Sequence, residues 1–115
     1  MTDCLFCKIV KGEIPCKKVY EDDEILAFHD IHPAAPAHCL IIPKVHLDRL
    51  SSATQEHATL LGRLLLQASP IAQQLGFSNG YRTIINVGYI GGQEVYHLHV
   101  HVLSGHAPLG PILSR

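Results

Sequence analysis

The 115-residue chain carries little charge of either sign: nine lysines and arginines against ten aspartates and glutamates, a net −1 with histidine neutral. It has no basic stripe, which excludes a nucleic-acid partner held by phosphate attraction. It has no one-signed field to hold it on a membrane surface. No apolar run is long enough to span a bilayer, because His, Pro or Arg punctuates the longest ones. The N-terminus, Met1-Thr2-Asp3-Cys4, lacks a basic region followed by an apolar run. That predicts no secretory signal and a cytoplasmic location with reduced cysteines. Repeats, low-complexity segments and linkers are missing too, so residues 1–115 are expected to form one domain around one core.

Histidine, in contrast, is abundant: there are nine. Three of them alternate in His97-Leu98-His99-Val100-His101-Val102-Leu103. Side chains two apart on a strand share a face, with Cα atoms ~6.5–7 Å apart. A strand here lines one face with imidazoles and puts Leu98, Val100 and Val102 on the other. Three purely structural imidazoles in a row are disfavoured, since each buried ring needs partners. Imidazole titrates near neutral pH, which leaves two chemistries. His-x-His can chelate a catalytic metal, given a third ligand and a base. Alternatively one neutral ring attacks phosphorus, and a neighbouring histidine manages the leaving group's proton. The preceding Gly91-Gly92-Gln93-Glu94-Val95 favours phosphorus, because glycines let backbone N–H groups converge on an anion. Asn86 can add an amide donor.

The rest of the chain reads as alternating short elements. Leu5, Phe6, Ile9 and Val10 have helical spacing between Cys4 and Lys11, stopped by Gly12 and Pro15. Lys18–Glu21 and Glu24–Phe28 read as strands about an Asp22-Asp23 turn. Residues 30–37 form a loop, and His38–Ile42 is a buried strand ended by Pro43. Ser52 and Gln55 have capping-box spacing, with Thr54 as an alternative cap. A helix then runs to Leu75, kinked by Pro70 and ended by Gly76. Tyr81–Val87 and Val95–Leu103 are the last strands, and residues 104–115 form a tail. No βαβ alternation is present, which predicts an α+β fold with a mostly antiparallel sheet. Cys4-x-x-Cys7 has metal or redox spacing, but Met1–Asp3 leaves no room for the strand that a thioredoxin-like pair needs. Cys16 and Cys39 stand alone.

The row His97 to Leu103 resembles the motif of the histidine triad (HIT) family. Gly91-Gly92-Gln93-Glu94-Val95-Tyr96 resembles its Hint branch, bacterial members above all. Phe28-His29-Asp30-Ile31, Pro36-Ala37-His38 and Ile41-Ile42-Pro43-Lys44 match as well, so the resemblance covers nearly the whole chain. It implies a five-stranded antiparallel sheet, one long helix, a short N-terminal helix and a homodimer. It implies a nucleotide hydrolase or transferase that cleaves purine nucleoside phosphoramidates and aminoacyl-adenylates and releases a nucleoside monophosphate. A dinucleoside polyphosphate hydrolase and a nucleotide-binding scaffold with vestigial catalysis are the alternatives.

Residue roles follow by the same resemblance. His99 is the nucleophile and forms a nucleotidyl-histidine. His101 holds phosphate oxygens or the bridging atom, and His97 lends its carbonyl to the His99 Nδ1–H. His38 resembles a further histidine beside the three. Leu5, Phe6, Ile9, Phe28, His29 and Ile31 enclose the base, and Asp30 accepts from the ribose hydroxyls. Asn86, Gly92, Gln93, Glu94 and Val95 complete the nucleotide site. Animal members carry serine where this chain has Glu94. A carboxylate there is unfavourable beside phosphate unless it points away or meets a cationic leaving group. Cys4, Cys7, His46 and His97 match a structural zinc set, which would clamp the N-terminal helix to the last strand with no catalytic metal required. The tail resembles the bacterial one but contains no tryptophan.

Overall fold

The computed structural model describes residues 3–113. The expectations placed on Met1, Thr2, Ser114 and Arg115 lie outside the described residues. The elements are α1 (Leu5–Val10), β1 (Lys18–Glu21), β2 (Ile25–His29), β3 (Ala37–Pro43), α2 (Ala58–Leu66), α3 (Ala68–Gln74), β4 (Arg82–Ile84) and β5 (Val100–Ser104). The five strands form one antiparallel sheet in the order β1-β2-β3-β5-β4. The first three strands form a meander; the two helices then carry the chain to the far edge, and β5 returns between β3 and β4. This is the α+β architecture the sequence predicts. No helix among the described residues is long and apolar enough to cross a membrane.

The sheet has two unlike faces because strand side chains alternate. Ile25, Ala27, Cys39, Ile41, Leu98, Val100 and Val102 pack on one face against Leu64 of α2 and Ala68 and Ile71 of α3. Leu26, Phe28, Leu40 and Ile42 point the other way, onto Phe6 and Ile9 of α1. β3 is covered on both faces and is buried throughout. The six-residue α1 therefore closes one side of the sheet next to the histidine row.

Several boundaries differ from expectation. Ser52 lies in a 3₁₀ turn and does not cap the long helix, because Ala53 is extended and breaks the chain's course. Thr54 caps the 3₁₀ turn Gln55–His57 that leads into α2: its Oγ1 accepts from the Glu56 N–H at 3.3 Å, and its own N–H donates to His57 Nδ1 at 2.9 Å. Histidine thus closes the box in place of Gln55. Pro70 interrupts the helix as predicted. It has no N–H to offer Leu66, and the break falls at Gln67, between α2 and α3. Gly76 ends α3 with φ +90°, a conformation that favours glycine.

The two final strands are shorter than predicted. β4 stops at Ile84, so Ile85, Asn86 and Val87 leave the ladder. β5 begins at Val100, so His97 and His99 precede it and only His101 lies within it. The β3–β5 register puts Leu98 opposite Pro43, where β3 ends and no N–H is available, and the Leu98 N–H donates instead to the Leu47 carbonyl at 2.7 Å. The side-chain alternation survives the lost ladder. Leu98 stays in the core under α2 and α3, while His97 and His99 both meet Phe6 edge-on, at 5.9 and 5.3 Å.

Candidate active site and metal centre

The face of the sheet under α1 opens into a cavity of about 540 Å³. Its apolar end is built by Leu5, Phe6 and Ile9 from α1 with Phe28 from β2. Phe6 and Phe28 stand edge-to-face, 5.6 Å between centroids. His29, Asp30 and Ile31 continue the wall at the end of β2, and Asn86, Gly92, Glu94 and Val95 form the opposite rim. His99 and His101 lie in the floor with centroids 5.0 Å apart. Nearly every predicted nucleotide-site residue is therefore gathered here. Ile14, Pro15, Cys16, His32 and Leu40 line it too and were not foreseen. Cys16, isolated in the sequence, reaches the wall because the chain turns over residues 11–14 after α1, where Gly12 has φ +80° and the Glu13 N–H donates to the Lys8 carbonyl at 2.9 Å.

Gln93 is the exception. It does not line the cavity, and its side chain is turned into the protein. Its Nε2 donates to the Asp48 and Val95 carbonyls at 2.8 and 3.0 Å, and its Oε1 accepts from the Gly88 N–H at 2.9 Å. Gln93 braces the 88–95 loop and leaves ligand contact to its neighbours. The expected convergence of N–H groups also shifts by two residues. The Gly92 and Gln93 N–H groups donate inside the loop, to Tyr89 and Gly88. The Glu94 and Val95 N–H groups have no acceptor among the described residues. Asn86 uses one amide proton on the Gly91 carbonyl at 2.8 Å and keeps its second. Gly91 is required sterically, since a Cβ there would come within 3.0 Å of the Val87 backbone.

The hydrogen bonds fix which nitrogen each imidazole presents. His99 Nδ1–H donates to the His97 carbonyl at 2.8 Å, which leaves the Nε2 lone pair for the cavity. The Ala34 N–H donates to His38 Nδ1 at 2.9 Å, so the proton of neutral His38 sits on Nε2. That Nε2–H donates to His101 Nδ1 at 2.9 Å. His101 therefore carries its own proton on Nε2, aimed at the cavity. His38 lines none of the cavity; it acts through His101. Asp30 Oδ1 accepts from the His32 N–H at 2.8 Å, the loop-capping role, and Oδ2 lies 3.4 Å from His38 Nε2.

Asp30, His38 and His101 bring three possible ligand atoms within 4.8 Å of one another. The tautomers argue against a cation there. A metal on His38 Nε2 would need that proton gone, and the Ala34 amide already occupies the other nitrogen.

Burial pushes His101 down to about 4, helped by the neighbouring His99 and His38 rings, and burial lowers His38 as well. His101 is thus a neutral donor over the physiological range. This gives stability a pH slope. Between the ordinary imidazole value of 6.5 and about 4, the unfolded chain binds a proton that folded His101 refuses. Stability is fully present above pH 6.5 and falls as pH drops toward 4. Discounted for partial exposure, the loss is about 2 kcal/mol. Urea unfolding at pH 7 and pH 4.5 measures it. The slope should flatten in His101→Asn; an unchanged slope there would place its origin elsewhere.

A second cluster lies behind Phe6. Cys4, Cys7, His46 and His97 gather four donor atoms. Cys4 Sγ is 3.3 Å from His97 Nδ1, and Cys7 Sγ is 3.4 Å from His46 Nδ1 and 3.5 Å from His97 Nδ1. A tetrahedron with metal–ligand distances of 2.0–2.3 Å has edges of about 3.3–3.8 Å, so the group fits a four-coordinate cation. His97 is fully buried, and its Nε2–H donates to the Pro43 carbonyl at 2.8 Å. That bond leaves Nδ1 unprotonated and directed at the sulfurs, the orienting role an outer partner gives a metal-bound histidine. His97 thus turns its ring to this cluster and only its carbonyl to His99.

Known proteins resemble this chain along nearly its whole length. The chain is 52% identical over 103 residues to Protein HitA of Neisseria gonorrhoeae, covering 90% of this chain and 96% of that protein. It is 47% identical over 114 residues to the purine nucleoside phosphoramidase of Escherichia coli K12, covering 98% and 95%. A HIT family hydrolase from Clostridium thermocellum superposes with a TM-score of 0.93 at 43% identity, covering 98% and 99%. A histidine triad protein from Clostridium difficile superposes at 0.92 and 44%, covering 99% and 98%. The HIT domain signature matches residues 11–107, and the chain belongs to the HIT family.

Proposed function

We propose that the protein hydrolyses purine nucleoside phosphoramidates and aminoacyl-adenylates through a nucleotidyl-histidine on His99. The orientation of His99 carries this reading: its Nδ1 is held by the His97 carbonyl, so Nε2 is the free lone pair beside the cavity. The cavity volume suits one nucleoside monophosphate. The E. coli relative's name describes the same class of activity.

The phosphoramidate reacts in the form protonated on its nitrogen. His99 Nε2 bonds to phosphorus as the substrate P–N bond breaks, and that electron pair goes to nitrogen, which departs as a neutral amine. Water then attacks the same phosphorus. The bond to His99 breaks, its electron pair returns to Nε2, and the proton of water passes to solvent. His101 gives its Nε2–H to a phosphate oxygen in both steps and stabilises the developing charge. It is a fixed donor in this scheme, in contrast to the proton-managing histidine expected from the row alone. Asn86 and the Glu94 and Val95 N–H groups hold the remaining oxygens. Asp30 accepts from the ribose, and the Phe6 and Phe28 rings enclose the base.

Zinc at Cys4, Cys7, His46 and His97 belongs to the same reading. Four protein ligands close the site, so the ion would clamp α1 to the histidine segment and take no part in the reaction. A homodimer also belongs to it, supported by the exposed Leu66 and Ile90. So does a cytoplasmic location.

Adenosine 5′-phosphoramidate and diadenosine tetraphosphate, offered separately, test the reaction. The amide should be cleaved faster, and quenching turnover in alkaline denaturant should trap an adenylyl group on the peptide that contains His99. Preference for the tetraphosphate with no trapped adduct would overturn the reading. Tight nucleotide binding with neither substrate cleaved would mark a scaffold.

A further inference from the structure

The cavity contains an apparent contradiction for a phosphate site. Among the described residues, no lysine or arginine lines it, yet two carboxylates do, Asp30 and Glu94. Asp30 is accounted for by the His32 N–H and by His38. Glu94 is exposed and has no ion-pair or hydrogen-bonding partner for its side chain among the described residues. A bare anion would gain nothing from such a neighbour.

Position along the loop says which part of a substrate Glu94 meets. Val95 packs into the apolar cluster with Phe6 and Phe28. Glu94, one residue earlier, is exposed where the cavity meets solvent. A nucleoside in the apolar end with phosphorus at His99 sends its leaving group toward that opening. The carboxylate then lies beside the leaving atom, where a protonated nitrogen carries positive charge and a departing oxygen gains negative charge.

Resting on the reaction proposed above, the geometry points to Glu94 as the residue that selects leaving groups bearing positive charge, the protonated nitrogen of a P–N bond or the ammonium of an aminoacyl-adenylate, over leaving groups whose oxygen departs as an anion with no cation beside it. Its backbone N–H stays with the phosphate, so a side-chain exchange leaves the cradle in place. The effect is a charge interaction near solvent, and it weakens as salt is raised.

Glu94→Gln tests this with two substrates of opposite leaving-group charge. An adenosine 5′-phosphoramidate of a primary alkylamine should lose about tenfold in kcat/KM, and an adenosine 5′-(4-nitrophenyl phosphate) should gain several-fold. A general disturbance of the loop would move both the same way, and that result would overturn the assignment. Binding gives a readout that needs no cleavage. Adenosine 5′-(aminomethyl)phosphonate and its hydroxymethyl counterpart differ only in a charged nitrogen near the leaving position. The wild type should bind the amine about tenfold tighter at low salt, and the ratio should approach one in Glu94→Gln. If the wild type cleaves neither nucleotide, the reaction falls, and the phosphonate ratio alone decides on Glu94. Equal wild-type affinities would sink the charge selection.

Discussion

His99→Asn is expected to lower kcat for an adenosine phosphoramidate by at least about 10⁴-fold, the loss typical of removing a nucleophile. Asparagine suits the test because its amide can still donate to the His97 carbonyl from near the position of Nδ1. The fold and the cavity should therefore persist, with a melting temperature close to the wild type and an adenosine monophosphate Kd within a few-fold. What disappears is the Nε2 lone pair, and with it any trapped adduct. His101→Asn should cost less, about 10²–10³-fold, since it removes one donor to the phosphate and leaves the attack intact. Residual activity within tenfold of wild type in His99→Asn would remove His99 from the role of nucleophile.

Cys7→Ala should produce the second large effect, on stability and nucleotide affinity together. Cys7 Sγ lies within 3.5 Å of both His46 Nδ1 and His97 Nδ1, so its loss opens the four-ligand group. Purified wild-type protein is expected to carry one zinc per chain and the variant close to none. A structural zinc contributes folding free energy directly. The melting temperature should fall by about 10 °C or more, and chelator-treated wild type should melt near the variant. Leu5, Phe6 and Ile9 share α1 with Cys7, so KM should rise more than kcat falls. Metal analysis with a thermal melt decides it: wild-type protein that is purified without zinc, or whose melting temperature neither chelation nor Cys7→Ala lowers, would refute the clamp.

Much of the fold was legible because its signals are local. Alternation at residues 97–103 assigned Leu98, Val100 and Val102 to the core correctly even where no ladder forms. Pro70 and Gly76 marked the break and the end of the helical stretch. The strand limits were not legible, because they are set by partners far along the chain. Leu98 is drawn to Leu47, and Gln93 to Asp48, and nothing near positions 93–98 announces either contact. The histidine row revealed a shared face but could not say which nitrogen of each ring would face the cavity. That depends on the Pro43 carbonyl and the Ala34 amide, both outside the row. The unforeseen wall of Ile14, Pro15 and Cys16 has the same origin, since only the turn after α1 brings it to the cavity.

The bond from Ala34 to His38 also bears on how this site can vary. It is made by a main-chain N–H, so any residue but proline at position 34 can supply it. A side-chain scan of the 30–36 loop would find Ala34 silent, although its amide sets the tautomer of His38 and, through it, of His101. The loop is thus free to drift in sequence while holding its chemical instruction, and the one alphabet change it forbids is the letter that lacks an N–H.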